Sequence, residues 1–153
     1  MVASLLFLYI IIFELNILGG RMAVFNSLDE AREYFKGDKF ATNSGMVIDE
    51  LGDDYSVCSV EITDALSNAN GGVMGGALFT LADFAFAVVV NNIHRPTVAQ
   101  QVSVNYLSAP KGKKLTATAK VRKNGRTSTI VNVDVVDDTG RDILQFIGVG
   151  FKL

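Results

Sequence analysis

The apolar positions of this chain change their period several times between Ser27 and Leu153, and each change marks an element. SLDEAREYFKG opens with a serine suited to an N-cap, carries acidic residues in its first turn and stops at Gly37, which predicts a short helix with Leu28, Ala31, Tyr34 and Phe35 facing inward. GMVIDEL and YSVCSVEIT follow across a GDD turn at hairpin spacing, with Cys58, Val60 and Ile62 on one face of the second strand. From Ser67 to Val90 a glycine-rich turn runs straight into an almost wholly apolar helix. His94, Arg95 and Pro96 then break the pattern, and Thr97 to Leu107 alternates as a strand with Val98, Gln100, Val102, Val104 and Tyr106 on one side. Three more strands, Leu115 to Arg122, Ser128 to Val136 and Asp142 to Lys152, are separated by KNGR and DDTG, where Asn or Asp next to Gly is hairpin chemistry. The order is a helix, two strands, one long buried helix and four strands: an α+β domain with an antiparallel sheet wrapped around one long central helix.

The long helix carries one feature its apolar setting does not explain. Between Asp64 and His94, Asp83 is the only ionisable side chain, and from Ala77 to Val90 only Thr80 and Asp83 are not apolar. Desolvating an ionised carboxylate without partners is costly, so an isolated aspartate on a core helix points to a functional site rather than to a solvent-facing seam.

Residues 1–20 stand apart, with an unbroken apolar run from Leu5 to Phe13 followed by Glu14. A secretory signal lacks its basic n-region here, since no Lys or Arg precedes Arg21. A membrane anchor needs about 20 predominantly apolar residues and would place Glu14 in lipid. The third reading makes Met22 the start, with 1–21 an upstream start artefact or a loosely packed extension, because MAVFNSLDEAREYF opens like an ordinary soluble domain. It divides the chain into an apolar extension, 1–21, and a single domain, 22–153. A membrane partner is expected only if residues 1–20 are a real anchor.

Composition narrows the chemistry. A chain of 153 residues, 49% hydrophobic and 20% charged, is globular and large enough for one real core. Its net charge of −2, without blocks of like charge, gives no footprint for a nucleic-acid partner. A single cysteine, Cys58, forms no internal disulfide, and with a single histidine, His94, there is no zinc set; a reducing, cytoplasmic compartment and no metal are expected. Cys58 reads as core rather than nucleophile, and His94 as ordinary chemistry at a helix end.

The order of elements, together with NANGGVMGGALFTLADFAFA, resembles the hotdog fold and, within it, the phenylacetic-acid-degradation (PaaI-like) family of acyl-CoA thioesterases, over most of Phe40 to Leu153. Asn68, Gly71, Gly75, Gly76, Phe79, Leu81, Ala82 and Asp83 occupy the places of that family's motif, and Met74 stands where the family has His. The resemblance implies hydrolysis of an acyl-CoA thioester with Asp83 as general base or nucleophile, and with Asn68 and the backbone N–H of Gly75 gripping the thioester carbonyl. Such donors suit the reaction, because an unpaired N–H at a helix N-terminus is aimed at developing negative charge. Gly76 would let substrate approach the backbone, and Thr80 shares a helix face with Asp83.

The resemblance further implies a homodimer, with dimers that can pair again into a homotetramer, in which Asp83 of one chain faces Asn68 and Gly75 of the other. No cofactor is implied beyond the coenzyme A of the substrate. Gln100 or Gln101 stands where some relatives place a water-positioning Ser or Thr. Lys111, Lys113, Lys123 and Arg126, with the hydroxyls of Thr127 and Ser128, are candidates for the coenzyme A phosphates, Arg126 foremost because a planar guanidinium binds phosphate bidentately. Met74 leaves three classes to weigh: a thioesterase for a more apolar acyl group, a non-catalytic hotdog protein that binds acyl-CoA or another small ligand, and a hotdog dehydratase. The dehydratase needs a His paired with a carboxylate, and His94 falls in a predicted loop eleven residues after Asp83.

Overall fold

The computed structural model describes residues 23–153; the apolar segment on which the extension, signal and anchor readings fall lies outside the described residues. Helix α1 (Leu28–Phe35) starts at Ser27, whose hydroxyl accepts the Glu30 N–H at 3.2 Å, while the Glu30 carboxylate accepts the Asn26 N–H at 2.8 Å. The first bond satisfies a donor that the helix start leaves orphaned, and the second ties the preceding residue back onto the first turn. Ala31 and Phe35 are buried, but Tyr34, read from the sequence as inward, is 46% exposed. One residue is 100° around a helix, so Tyr34 cannot share the direction of Phe35; its ring instead packs on Phe25 and Phe35 and lies under the Arg95 guanidinium at 4.7 Å. A second helix, α2 (Lys39–Asn43), capped by Asp38, escaped the sequence reading because five residues are too few to show a helical period.

Strands β1 (Val47–Leu51) and β2 (Tyr55–Glu61) form the expected hairpin, and a short 3-10 turn (Asp64–Leu66) leads towards the central helix α3 (Gly75–Ile93). Strands β3 (Thr97–Tyr106), β4 (Lys114–Asn124), β5 (Ser128–Asp137) and β6 (Asp142–Lys152) complete a six-stranded antiparallel sheet in the order β1-β2-β4-β5-β6-β3. The hotdog architecture read from the sequence is therefore present. Cys58 and Val60 of β2, Ala117 and Ala119 of β4, Val131, Val133 and Val135 of β5 and Phe146 of β6 are buried in one core with α3.

Burial within the sheet explains why α3 is apolar around most of its circumference. By length and hydropathy the helix is able to cross a membrane, but most of that stretch is already covered by protein. The helix lies close to β6, since a Cβ at Gly148 would meet the rings of Phe86 and Phe146 at 2.7 and 2.8 Å. Two buried asparagines fasten its far end. Asn91 exchanges bonds with Thr97, accepting its N–H at 3.0 Å and donating to its carbonyl at 3.1 Å, while Asn92 accepts the Phe25 N–H and donates to the Gly52 carbonyl.

The alternation expected along β3 fails at one place. A bulge between Ala99 and Gln101 inserts a residue, so Val98 pairs across from Phe151 and is 46% exposed, whereas Val102 and Val104 pair with Gly148 and Phe146 on the core side. Val98 therefore does not share the face of Val102, Val104 and Tyr106, because one extra residue inverts every side chain beyond it, and Gln100 is the bulged residue, without a Cα partner on β6.

Candidate active site

The segment before α3 is folded by Asn68. Its Oδ1 accepts the N–H groups of Asn70 at 2.9 Å and Gly72 at 3.3 Å, its own N–H donates to the Gly72 carbonyl at 2.7 Å, and Gly71 supplies the left-handed corner at φ +79°. The Asn68 Nδ2 makes only a 3.5 Å contact with the Val73 carbonyl, so most of this exposed amide's donor capacity is uncommitted. The Met74 N–H donates to the Leu66 carbonyl, and the chain then enters α3 with Met74 at the N-cap and no side-chain cap.

Consequently the first donors of α3 stay open. The N–H groups of Ala77 and Leu78 turn to the Met74 carbonyl, while those of Gly75 and Gly76 have no acceptor among the described residues. Both glycines are closely overlaid. A Cβ at Gly75 would meet the Tyr106 ring at 3.3 Å, and one at Gly76 would meet the Met74 Cε at 2.5 Å. The Tyr106 hydroxyl donates to the Gly75 carbonyl at 3.3 Å, and the Thr80 hydroxyl to the Gly76 carbonyl at 2.8 Å.

Asp83 lies two turns further along. It is half-buried in a seam with Gly76, Thr80 and Ala87, and its carboxylate makes no hydrogen bond or ion pair with any described residue. Burial pushes its pKa above the ordinary carboxylate value, and the nearby Asp38 carboxylate pushes in the same direction. Eight residues of helix separate Asp83 from Gly75, about 12 Å along the axis. Within one chain the carboxylate and the open N–H donors therefore cannot meet a single carbonyl group.

A groove of about 300 Å³ opens against the same first turns of α3. Phe40 and Met74 form exposed lips, and Met46, Leu66, Ala77 and Phe79 supply apolar walls. The hydroxyls lining it are already committed, Ser44 to the Phe40 carbonyl and Thr80 to the Gly76 carbonyl, each at 2.8 Å. Of the other aromatic residues on α3, Phe84 is 3% and Phe86 1% exposed, and both are core.

The remaining candidates are scattered. Arg126, Thr127 and Ser128 belong to the β4–β5 hairpin, where the Gly125 N–H bonds the Ser128 carbonyl and the Lys152 N–H bonds the Thr127 carbonyl. Lys123 is beside them. That hairpin is at the Thr97 end of the sheet, opposite Gly75, whereas Lys111 and Lys113 are at the Gly75 end, separated by the length of β4, about 35 Å. One chain cannot gather both sets around a single phosphate group. Gln100 sits in the bulge of β3 and Gln101 on the face turned from the core, both exposed and away from the Gly75 end.

Cys58 is fully buried, and burial pushes its thiol far above the ordinary range, which makes it core. His94 caps the end of α3, about 16 Å along the axis from Asp83, so it forms no pair with that carboxylate. Among the described residues no cluster of His, Cys, Asp and Glu could hold a metal ion. Tyr106 is the neighbour that sequence reasoning missed at this end, since its partner Gly75 is 31 residues away and only the fold brings them together.

Comparison with known proteins agrees with this fold. The sequence pattern described as the thioesterase superfamily matches residues 70–144. The acyl-coenzyme A thioesterase PaaI of Escherichia coli is 27% identical over 80% of this chain and 89% of its own length. Its structure superposes with a TM-score of 0.76, covering 80% of this chain and 90% of that one. A Deinococcus radiodurans protein classed provisionally as an esterase is 30% identical over 75% of this chain and 80% of its own. A hypothetical thioesterase protein of Streptococcus pneumoniae, solved with coenzyme A, is 29% identical with a TM-score of 0.71, covering 76% of this chain and 94% of that one.

Proposed function

The chain belongs to the thioesterase superfamily, and from that premise we propose that it hydrolyses an acyl-CoA thioester to the free acid and coenzyme A at a site shared by two copies. The observation that carries this reading is Asp83: a half-buried carboxylate without a partner among the described residues, on the same helix whose N-terminus offers donors at Gly75 and Gly76 that no described residue accepts. In the reaction, Asp83 takes a proton from water as the water oxygen bonds to the thioester carbon. The carbonyl oxygen gains negative charge facing the Gly75 N–H and the Asn68 amide. Collapse breaks the C–S bond, and the proton passes to the departing thiolate. A raised pKa suits this base, because its proton affinity moves closer to the working pH.

Reacting groups must approach within about 3–3.5 Å, and the 12 Å between Asp83 and Gly75 forbids that in one chain. A homodimer with antiparallel α3 helices removes the obstacle by bringing Asp83 of one chain to Asn68 and Gly75 of the other. Among the described residues β3, ten residues long, is an edge strand, and that edge and the small-residue seam around Asp83 suit such a pairing. The same pairing would bring the Arg126 hairpin of one chain towards the Gly75 end of the other, where Arg126, Thr127 and Ser128 can meet coenzyme A phosphates. Gln100 or Gln101 is kept as a water-positioning candidate, and the single buried Cys58 suits a reducing, cytoplasmic compartment.

Met74 favours one alternative specifically. Its side chain, not a hydrogen-bonding imidazole, covers Gly76, as it would in a protein that binds an acyl-CoA without turning it over. Thiol release from a panel of short, medium, long and aryl acyl-CoAs separates the two readings. Catalysed release supports the hydrolase; tight binding with release only at the uncatalysed rate supports the binding protein.

A further inference from the structure

Met46 follows the α2 helix at the turn into β1, with its N–H held by the Ala41 carbonyl and its side chain 3% exposed. It lines two separate cavities. One is the groove at the start of α3; the other, of about 220 Å³, is walled by Phe35, Val47, Ile48 and Phe84. Thr80 borders the first and Phe84 the second, and residues four apart lie in one row on a helix, so the two cavities follow each other along the same side of α3 with Met46 between them.

Both are suited to hydrocarbon. The hydroxyls of Thr42, Ser44 and Thr80 donate to the backbone carbonyls of Asp38, Phe40 and Gly76, leaving no free hydroxyl donor for a polar tail. At the rim of the second cavity Arg32 bonds the Ile48 carbonyl and Asp29, and Lys36 pairs with Glu33. The first cavity alone is at the lower limit of small-molecule sites, about 300–1,000 Å³, and the two joined would fall well inside it.

We propose that Met46 is a specificity-determining residue that limits the length of the unsubstituted hydrocarbon acyl chain accepted beside the helix N-terminus. This rests on the reading of the Gly75 end as a thioester site. The acyl chain runs from the open N–H groups past Thr80 and ends against the Met46 side chain, and shortening that side chain opens the way towards Phe84.

The test compares wild type, Met46→Ala and Met46→Val for turnover of butanoyl- to hexadecanoyl-CoA, and for affinity towards the matching non-hydrolysable thioether analogues by calorimetry, with melting curves to check folding. Wild type should favour a medium chain. Met46→Ala should raise the hexadecanoyl-to-octanoyl ratio by about tenfold or more, the order of effect of pocket methylenes, with Met46→Val between. An unchanged length profile in a folded Met46→Ala or Met46→Val protein overturns the proposal, and so does a wild type that takes every length equally. If no acyl-CoA is hydrolysed by wild type, the hydrolase reading falls, while the length profile of analogue binding still decides the role of Met46.

Discussion

Asp83 combines two consequences of burial that can be measured separately. As the proposed base it should be indispensable, so Asp83→Asn should lower kcat by about 10²–10⁴, the usual contribution of a positioned acid or base, while size-exclusion profiles stay those of wild type. Its folded pKa is raised above the unfolded value near 3.9, so the native state binds the proton more tightly and stability falls as pH rises through the window between those two values. Below that window the penalty is absent; above it, the ionised carboxylate is held half-desolvated. The Asn variant should therefore melt higher than wild type at neutral pH, with the difference disappearing in acid, as thermal melts across a pH series would show. At Met74 an imidazole would place a donor beside the open N–H groups of Gly75 and Gly76, and Met74→His should raise kcat on a substrate that wild type turns over slowly. Unchanged turnover would mean that the main-chain donors suffice. Asp83 was legible in the sequence because no other ionisable side chain stands near it. Tyr106 was not, because its contact with Gly75 exists only once β3 has been laid beside α3.

At the scale of elements, turn chemistry and hydrophobic period identified most of the fold, and they missed what depends on contacts between distant segments. The DDTG turn was legible as a turn, but not the role of Asp137, whose carboxylate accepts the Thr139 hydroxyl and N–H and the Arg141 N–H from its own turn, and the Lys111 and Gly112 N–H groups from the loop before β4. These bonds hold its pKa well below the carboxylate range, so its contribution to stability is complete above the unfolded value near 3.9 and is lost as pH falls towards the folded one. Asp137→Ala should thus lower the melting temperature at neutral pH and reduce the acid sensitivity of what stability remains. Strand positions were similarly legible for β4, β5 and β6, but register was not, since alternating residues give no sign of where the ladder shifts, as it does between Ala99 and Gln101 on β3, Val121 and Lys123 on β4, and Val135 and Val136 on β5. Gly148 shows the same limit from the side of packing. In sequence it is a gap in a strand; in the fold it admits the rings of Phe86 and Phe146. Gly148→Ala should destabilise by about 1–3 kcal/mol, the usual cost of overpacking a tight core, measurable by denaturant unfolding.

For the whole molecule the decisive quantity is the separation between Asp83 and the donors at Gly75, because it makes the proposed chemistry a property of two chains. Among the described residues no strand pairs with the outer edge of β3 beyond Thr97, and soluble proteins rarely leave such an edge uncovered. Pairing it with its own copy around a two-fold axis would extend the sheet and place the two α3 helices side by side in opposite directions. A monomer at micromolar concentration would contradict that arrangement. A stricter test mixes two inactive proteins, Asp83→Asn and Asn68→Ala, after denaturing and refolding them together. In a mixed dimer one site combines both substitutions, and the other joins the intact Asp83 of one chain to the intact Asn68 of the other. Random assortment makes half of the dimers mixed, each with one working site of two, so activity should recover to about one quarter of wild type. A site contained within a single chain would give no recovery at any mixing ratio, since every chain in the mixture would then carry a defective site.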